Sequence, residues 1–215
     1  MINSMLDLLM PASACQQTKI YGVVIGIVTN NEDRGGMGRV KVRFPWMSEN
    51  DESAWARMAV PMAGDDRGAY FIPEVEDEVL VAFEHGDIRF PYVLGALWNG
   101  KDKPPATNQD GKNNIRVLKS RSGHVIRLND EGGKEKIEII DTSTKNSIVF
   151  ETAKNTITIS AGKDIKLLAS QGTITLEARN ITIKASADAK IEAGAGMDVK
   201  AGETMNIKGA QVNIN

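Results

Sequence analysis

Four short stretches hold residues whose types could do chemistry. Ser122 and His124 in "SRSGHVIRLND" (120–130) set a hydroxyl and an imidazole near acids, the beginnings of a hydrolase site. Two residues apart on one strand, they point the same way. They form no nucleophile elbow, and no oxyanion hole is evident. Gly123 and Asn129-Asp130 read instead as turn residues of a hairpin. Glu84, His85 and Asp87 in "FEHGDIRFPY" (83–92) are metal-ligand types, but three such neighbours on one turn seldom converge on one ion, and a polar β-turn is the better reading. "NNEDRGGMG" (30–38) is glycine-rich, yet it lacks the Gly-Lys-Ser/Thr ending of a phosphate loop and leads into a strand rather than a helix. Arg39, Lys41 and Arg43 in "GRVKVRFPWM" (38–47) place three cations on one strand face, as a nucleic-acid platform would. No residue is assigned a catalytic, cofactor-binding or metal-ligating role.

The charge of the whole chain decides how to read that stripe. The 215 residues carry a formal net charge of −2, whereas nucleic-acid binders normally show a basic excess. OB-folds that bind single strands also stack bases on aromatics, and none is interleaved outward here. The stripe therefore reads as a solvated face. Cys15 is the only cysteine, so neither an internal disulfide nor a cysteine-rich metal site is possible. "MLDLLMPASAC" resembles a lipoprotein signal superficially, but it has no positive start and Asp7 breaks a short apolar run. No stretch approaches the ~18 apolar residues of a membrane span.

The elements that must position these residues fall into two kinds of sequence. All three tryptophans and all three tyrosines lie before residue 100, and no proline, tryptophan or tyrosine follows residue 105. The boundary, "NGKDKPPATNQDGKNN" (99–114), is a loop by composition. The first half holds five strand candidates at 20–30, 38–44, 55–60, 77–84 and 92–98, separated by turn clusters, with no convincing helix. Five short strands match a small Greek-key barrel of the OB-fold type. The expected division is an N-terminal segment 1–19, an OB-fold collar 20–100, a linker and hairpin 101–136, and a repetitive region 137–215.

The second half repeats about every eight residues: two apolar residues spaced by two, a small residue, then a polar turn. The pairs are Ile148/Phe150, Ile157/Ile159, Ile165/Leu167, Ile174/Leu176, Ile181/Ile183, Ala189/Ile191, Met197/Val199, Met205/Ile207 and Val212/Ile214. A spacing of two and then six is a strand pattern and excludes a helix. Two apolar side chains per strand cannot offset a backbone cost of about 1–2 kcal/mol per residue, so the units must stack. Eight residues make roughly one strand and one corner. Three chains wound together, one strand each per layer, would close a triangular prism with the apolar residues on its axis. About ten strands at ~4.7–4.9 Å give a length of about 45–50 Å. The expected fold is all-β: an OB-fold barrel followed by an intertwined triple-stranded β-helix in a homotrimer.

Three segments carry a family resemblance: "GRVKVRFPW", "VEDEVLVAFEHGDIRFPYVLGALWNGKDKPP" and "LKSRSGHVIRLNDEGGKEKIEIID". They resemble the spikes of contractile injection machines, a family that includes phage baseplate assembly protein V, the VgrG spike of type VI secretion and the spikes of extracellular contractile injection particles. The resemblance implies a trimeric structural spike that caps the inner tube and is driven through a target envelope, making transient contact with its membrane. It implies no enzymatic activity and no nucleic-acid partner. It also implies assembly in the bacterial cytoplasm without a signal peptide, followed by outward delivery on contraction. The chain departs from relatives in lacking a lysozyme-like insert and the long hub domain, so a separate hub protein is expected, with Met5, Leu8 and Leu9 facing it. Some phage spikes end in a His-x-His metal tip. Here His85 and His124 stand alone. The sequence reaches "QVNIN" still in repeat register, and Asn213, Ile214 and Asn215 are the expected platform for a PAAR-type tip protein.

Two other readings stay open at this level. A β-helical tail fibre that binds or cleaves carbohydrate would need paired carboxylates, whereas Asp164, Glu177, Asp188, Glu192, Asp198 and Glu203 stand singly. An OB-fold nucleic-acid binder with a repetitive tail would show salt-dependent binding.

Overall fold

The computed structural model describes residues 19–47 and 51–213. Met5, Leu8, Leu9, Ile214 and Asn215 lie outside the described residues. One unit runs to Gly162 and a second starts at Lys163.

The first unit begins with a barrel. Strands β1 (Val23–Asn30), β2 (Lys41–Arg43), β3 (Arg57–Met58), β6 (Glu78–Phe83) and β7 (Pro91–Ala96) form a sheet in the order β2-β1-β6-β7-β3. All its pairings are antiparallel except β3 with β7. A bridge between Val40 and Ala56 brings the approach to β3 back against β2, so the sheet closes on itself. Alternation explains the strands: Val40, Val42 and Phe44 point inward with Val79, Val81 and Phe83, and these join Val28, Ala56 and Val93 in one buried core. Gly26 is buried against that core, where a Cβ would crowd its neighbours. A Cβ there would stand 3.3 Å from Val81 and 3.4 Å from both Val42 and Phe44. Pro91 opens its strand, where its missing N–H costs least. The expected five strands are thus present, each shorter than its sequence candidate. The segment read only as turns between 61 and 76 also holds a small hairpin, β4 (Ala63–Gly64) and β5 (Arg67–Gly68).

After the linker the chain forms a second five-stranded sheet, an antiparallel meander. It comprises β8 (Ile115–Lys119), β9 (Val125–Asn129), β10 (Lys136–Ile140), β11 (Ser147–Glu151) and β12 (Thr156–Ser160), each paired with its sequence neighbour. Residue 136, taken above as the end of the linker region, opens β10. The turns are built by polar side chains. Asp141 accepts hydrogen bonds from Ser143 and Asn146, and Asn155 takes the left-handed conformation that ends the 3-10 turn Thr152–Lys154.

In the second unit, no described residue lies in a strand paired within the chain. The backbone bends near 162–163, 170–172, 179, 186–187, 194–195, 202–203 and 210–211. These bends fall about every eight residues, between the apolar pairs. Every described residue from 163 onward is exposed.

Candidate functional site: an apolar assembly face

The residues that suggested chemistry are engaged in turns. The Ser122 hydroxyl lies 3.3 Å from that of Ser120, while His124 Nδ1 accepts the Thr142 N–H at 3.3 Å. The Thr142 hydroxyl donates to the Ser122 carbonyl. Ser120 Oγ accepts the His124 backbone N–H at 3.0 Å, but among the described residues no serine hydroxyl bonds to the imidazole, so the cluster locks the β8–β9 turn to the β10–β11 turn. Glu84 accepts the Tyr92 hydroxyl at 2.6 Å, and Asp87 holds Arg89 through both oxygens. That guanidinium keeps the Asp87 carboxyl down at about 2. Among the described residues, no group of three His, Cys, Asp or Glu is placed to hold a metal ion.

The glycine-rich loop is organised by Asp33. Its carboxylate accepts the backbone N–H of Gly35, Met37 and Arg39 and both arms of the Arg39 guanidinium, each at 2.9–3.2 Å. The Arg39 bonds, followed by the backbone amides, hold this carboxyl far below the ordinary aspartate range.

Each cation of the basic stripe has its own acid. Arg39 pairs with Asp33 at 2.9 Å, Lys41 with Glu52 at 3.0 Å and Arg43 with Glu76 at 3.4 Å. The expectation of no interleaved aromatic needs one correction. Trp55 arrives from the approach to β3 and lies 5.7 Å from the Arg39 guanidinium and 5.6 Å from the Lys41 ammonium. Its ring serves cations that are already paired. A face neutralised in this way has little free positive charge for a phosphate backbone.

The feature that stands unsatisfied is one face of the meander. Strand register aligns Leu118, Ile126, Ile139, Ile148 and Ile159 in one column across all five strands. A second column holds Arg116, Leu128, Ile137, Phe150 and Ile157. Nine of these ten residues are apolar. Leu118, Ile126, Ile137, Ile139, Ile157 and Ile159 are each between 44 and 63% exposed, so the face is a continuous apolar patch open to water. The lone cation, Arg116, is bound to Asp130. The opposite face is closed by its own ion pairs, Arg127 with Glu138 at 2.7 Å and Lys136 with Glu151 at 3.5 Å. Monomers seldom leave such a patch uncovered.

Four of the residues expected on the trimer axis, Ile148, Phe150, Ile157 and Ile159, lie on this face. Leu118, Ile126, Leu128, Ile137 and Ile139 share it and were missed. Their alternation in "VIRLN" and "KIEII" is plain, but the turns between them are not eight residues apart. In the second unit, Ile165, Leu167, Ile174, Leu176, Ile181, Ile183, Ile191, Met197, Val199, Met205, Ile207 and Val212 are likewise exposed in the single chain.

Residues 24–98 match the family described as the type VI secretion system/phage-baseplate injector OB domain. The type VI secretion spike protein VgrG3 of Vibrio cholerae is 30% identical over 139 residues, covering 59% of this chain and 14% of that protein. VgrG2a of Pseudomonas aeruginosa is 37% identical over 97 residues, 43% of this chain and 11% of that protein. VgrG1a of the same organism is 30% identical over 133 residues, 54% of this chain and 20% of that protein. The chain therefore spans about a tenth to a fifth of the length of these curated relatives. The resemblance read from the motifs is borne out. The barrel matches the type VI secretion system/phage-baseplate injector OB domain, and the all-β class holds.

Proposed function

We propose that this chain is the structural central spike of a contractile injection machine, working as a homotrimer. The observation that carries the reading is the uncovered apolar face of the meander, continued in sequence by octads whose apolar pairs are all exposed in one chain. Two further copies supply what is missing. Meander faces from three chains close on one axis, and the octads find hydrogen-bond partners in neighbouring chains, since unpaired backbone groups are costly to bury. The axis residues run from Leu118 to Val212 and on to Ile214. The mechanism is mechanical: force passes along a hydrogen-bonded prism without bond-making chemistry.

The collar caps the inner tube and meets a separate hub protein. Asn213, Ile214 and Asn215 seat a PAAR-type tip, and the tip end makes transient contact with the target membrane. Assembly takes place in the bacterial cytoplasm, and contraction delivers the particle outward. The support is the OB-domain match together with the names of the relatives, which are spike proteins of type VI secretion. Among the described residues, no helix is long and apolar enough to cross a membrane.

The test is solution mass by light scattering, on the full chain and on a chain ended after Pro105. The reading expects a trimer from the first and a monomer from the second. A monomeric full chain at micromolar concentration overturns it.

A further inference from the structure

The collar carries a groove that the spike reading does not use. It lies between the loop 36–39, β3 and the β4–β5 hairpin, and encloses about 890 Å³. Met37, Trp55, Met58, Met62, Tyr70 and Ile72 line it. Met37, Met62 and Tyr70 are 65, 54 and 80% exposed, so this apolar lining faces water. Its rim is positive. Arg39 is spent on Asp33, but Arg57 and Arg67 have no carboxylate partner among the described residues, against a single acid, Asp66. The volume is in the range of sites that bury a drug-sized ligand, room for a few side chains.

The chain itself contains a segment of matching chemistry. Residues 1–10, "MINSMLDLLM", include Met5, Leu6, Leu8, Leu9 and Met10, and Asp7 is their only charged side chain. The segment is also tethered close by. The Ile20 N–H bonds to the Gly86 carbonyl at 2.9 Å, beside the turn that leads into β7. β7 pairs with β3, with Tyr92 opposite Arg57 on the groove rim. By this route the tether point is about three strand spacings, roughly 15 Å, from the groove. The eight residues Pro11–Thr18 reach about 26 Å when extended, so the distance is easily covered. A short tether gives a millimolar effective concentration, so even weak complementarity suffices.

We propose that Met5–Met10 seats in the groove of its own collar, with Asp7 beside the Arg57 and Arg67 rim. The seat shields an apolar segment from water before assembly. The hub contact proposed above draws on the same residues, so collar and hub compete for them.

The experiment uses the full chain with Cys15→Ser and Ser4→Cys, a nitroxide on the new cysteine, and methionine-methyl NMR. The expected result is broadening of the Met37, Met58 and Met62 signals. Asp7→Lys in the same chain should relieve the broadening. Unbroadened groove methionines overturn the proposal. So does equal broadening when spin-labelled chains are mixed with isotope-labelled chains that carry no nitroxide, because the groove then belongs to a second copy. Neither outcome depends on the trimer, which the light-scattering mass decides separately.

Discussion

Thr158 and Ile159 are adjacent on β12 and face opposite sides of the meander. Both are exposed in one chain, Ile159 at 58%. On a lone chain, an aspartate at either position is a surface change worth about ±0.5 kcal/mol. In the proposed trimer the two sites part company. Fully burying an isoleucine is worth about 1.5–3 kcal/mol, so the exposed share of Ile159 contributes about 1–2 kcal/mol per copy on assembly. An aspartate on the axis must also be protonated. From an ordinary pKa of about 3.9, that costs roughly 4 kcal/mol per copy at pH 7. Ile159→Asp thus removes on the order of 15 kcal/mol per trimer, close to the whole free energy of two micromolar associations. Light scattering at micromolar concentration and pH 7 should find Thr158→Asp trimeric and Ile159→Asp monomeric. At about pH 4 the protonation cost nearly vanishes, and Ile159→Asp should partly reassemble. If both variants keep the wild-type mass at pH 7, the axis assignment fails. Ile183→Asp should lose the trimer in the same way.

Other expectations follow from the collar. The depressed Asp33 carboxyl stabilises the fold fully above the ordinary aspartate range, and that contribution fades as pH falls below about 4. Asp33→Asn should therefore melt lower at neutral pH and lose stability less steeply between pH 4 and 2, as read by thermal melts across that range. Gly68→Ala places a Cβ 2.6 Å from the Met62 carbonyl oxygen. Overpacking of this kind costs about 1–3 kcal/mol and should open the β4–β5 hairpin, seen as faster amide exchange at Ala69, whose N–H bonds to Met62. The neutralised stripe predicts no fluorescence-anisotropy binding to single-stranded DNA tighter than about 100 μM at physiological salt. Tight, salt-dependent binding would restore the nucleic-acid reading.

The barrel was legible because alternation and burial agree. Val40, Val42 and Phe44 read inward in the sequence and are buried in the fold. The pairing of the stripe was not legible, since Glu52, Trp55 and Glu76 come from other strands and loops and only closure brings them beside Arg39, Lys41 and Arg43. The β4–β5 hairpin was also hidden, because "AG" and "RG" are too short and too small to show a period. Ile157 and Ile159, on the exposed apolar face, were legible from the octad. Leu118 and Ile126 were not, since they align with the octad residues only through the meander register.

That meander pairs every strand with its neighbour in sequence, whereas the collar needs β1 beside β6 and β3 beside β7. Local pairings form quickly and non-local ones slowly. A newly made chain can therefore complete its five-strand sheet first, while the described residues after Lys163 pair with no strand of the same chain. Three finished sheets that meet by their apolar faces would already be in register when the octads begin to pair. Assembly would then run in one direction, from β12 toward Asn215, with each layer aligning the next.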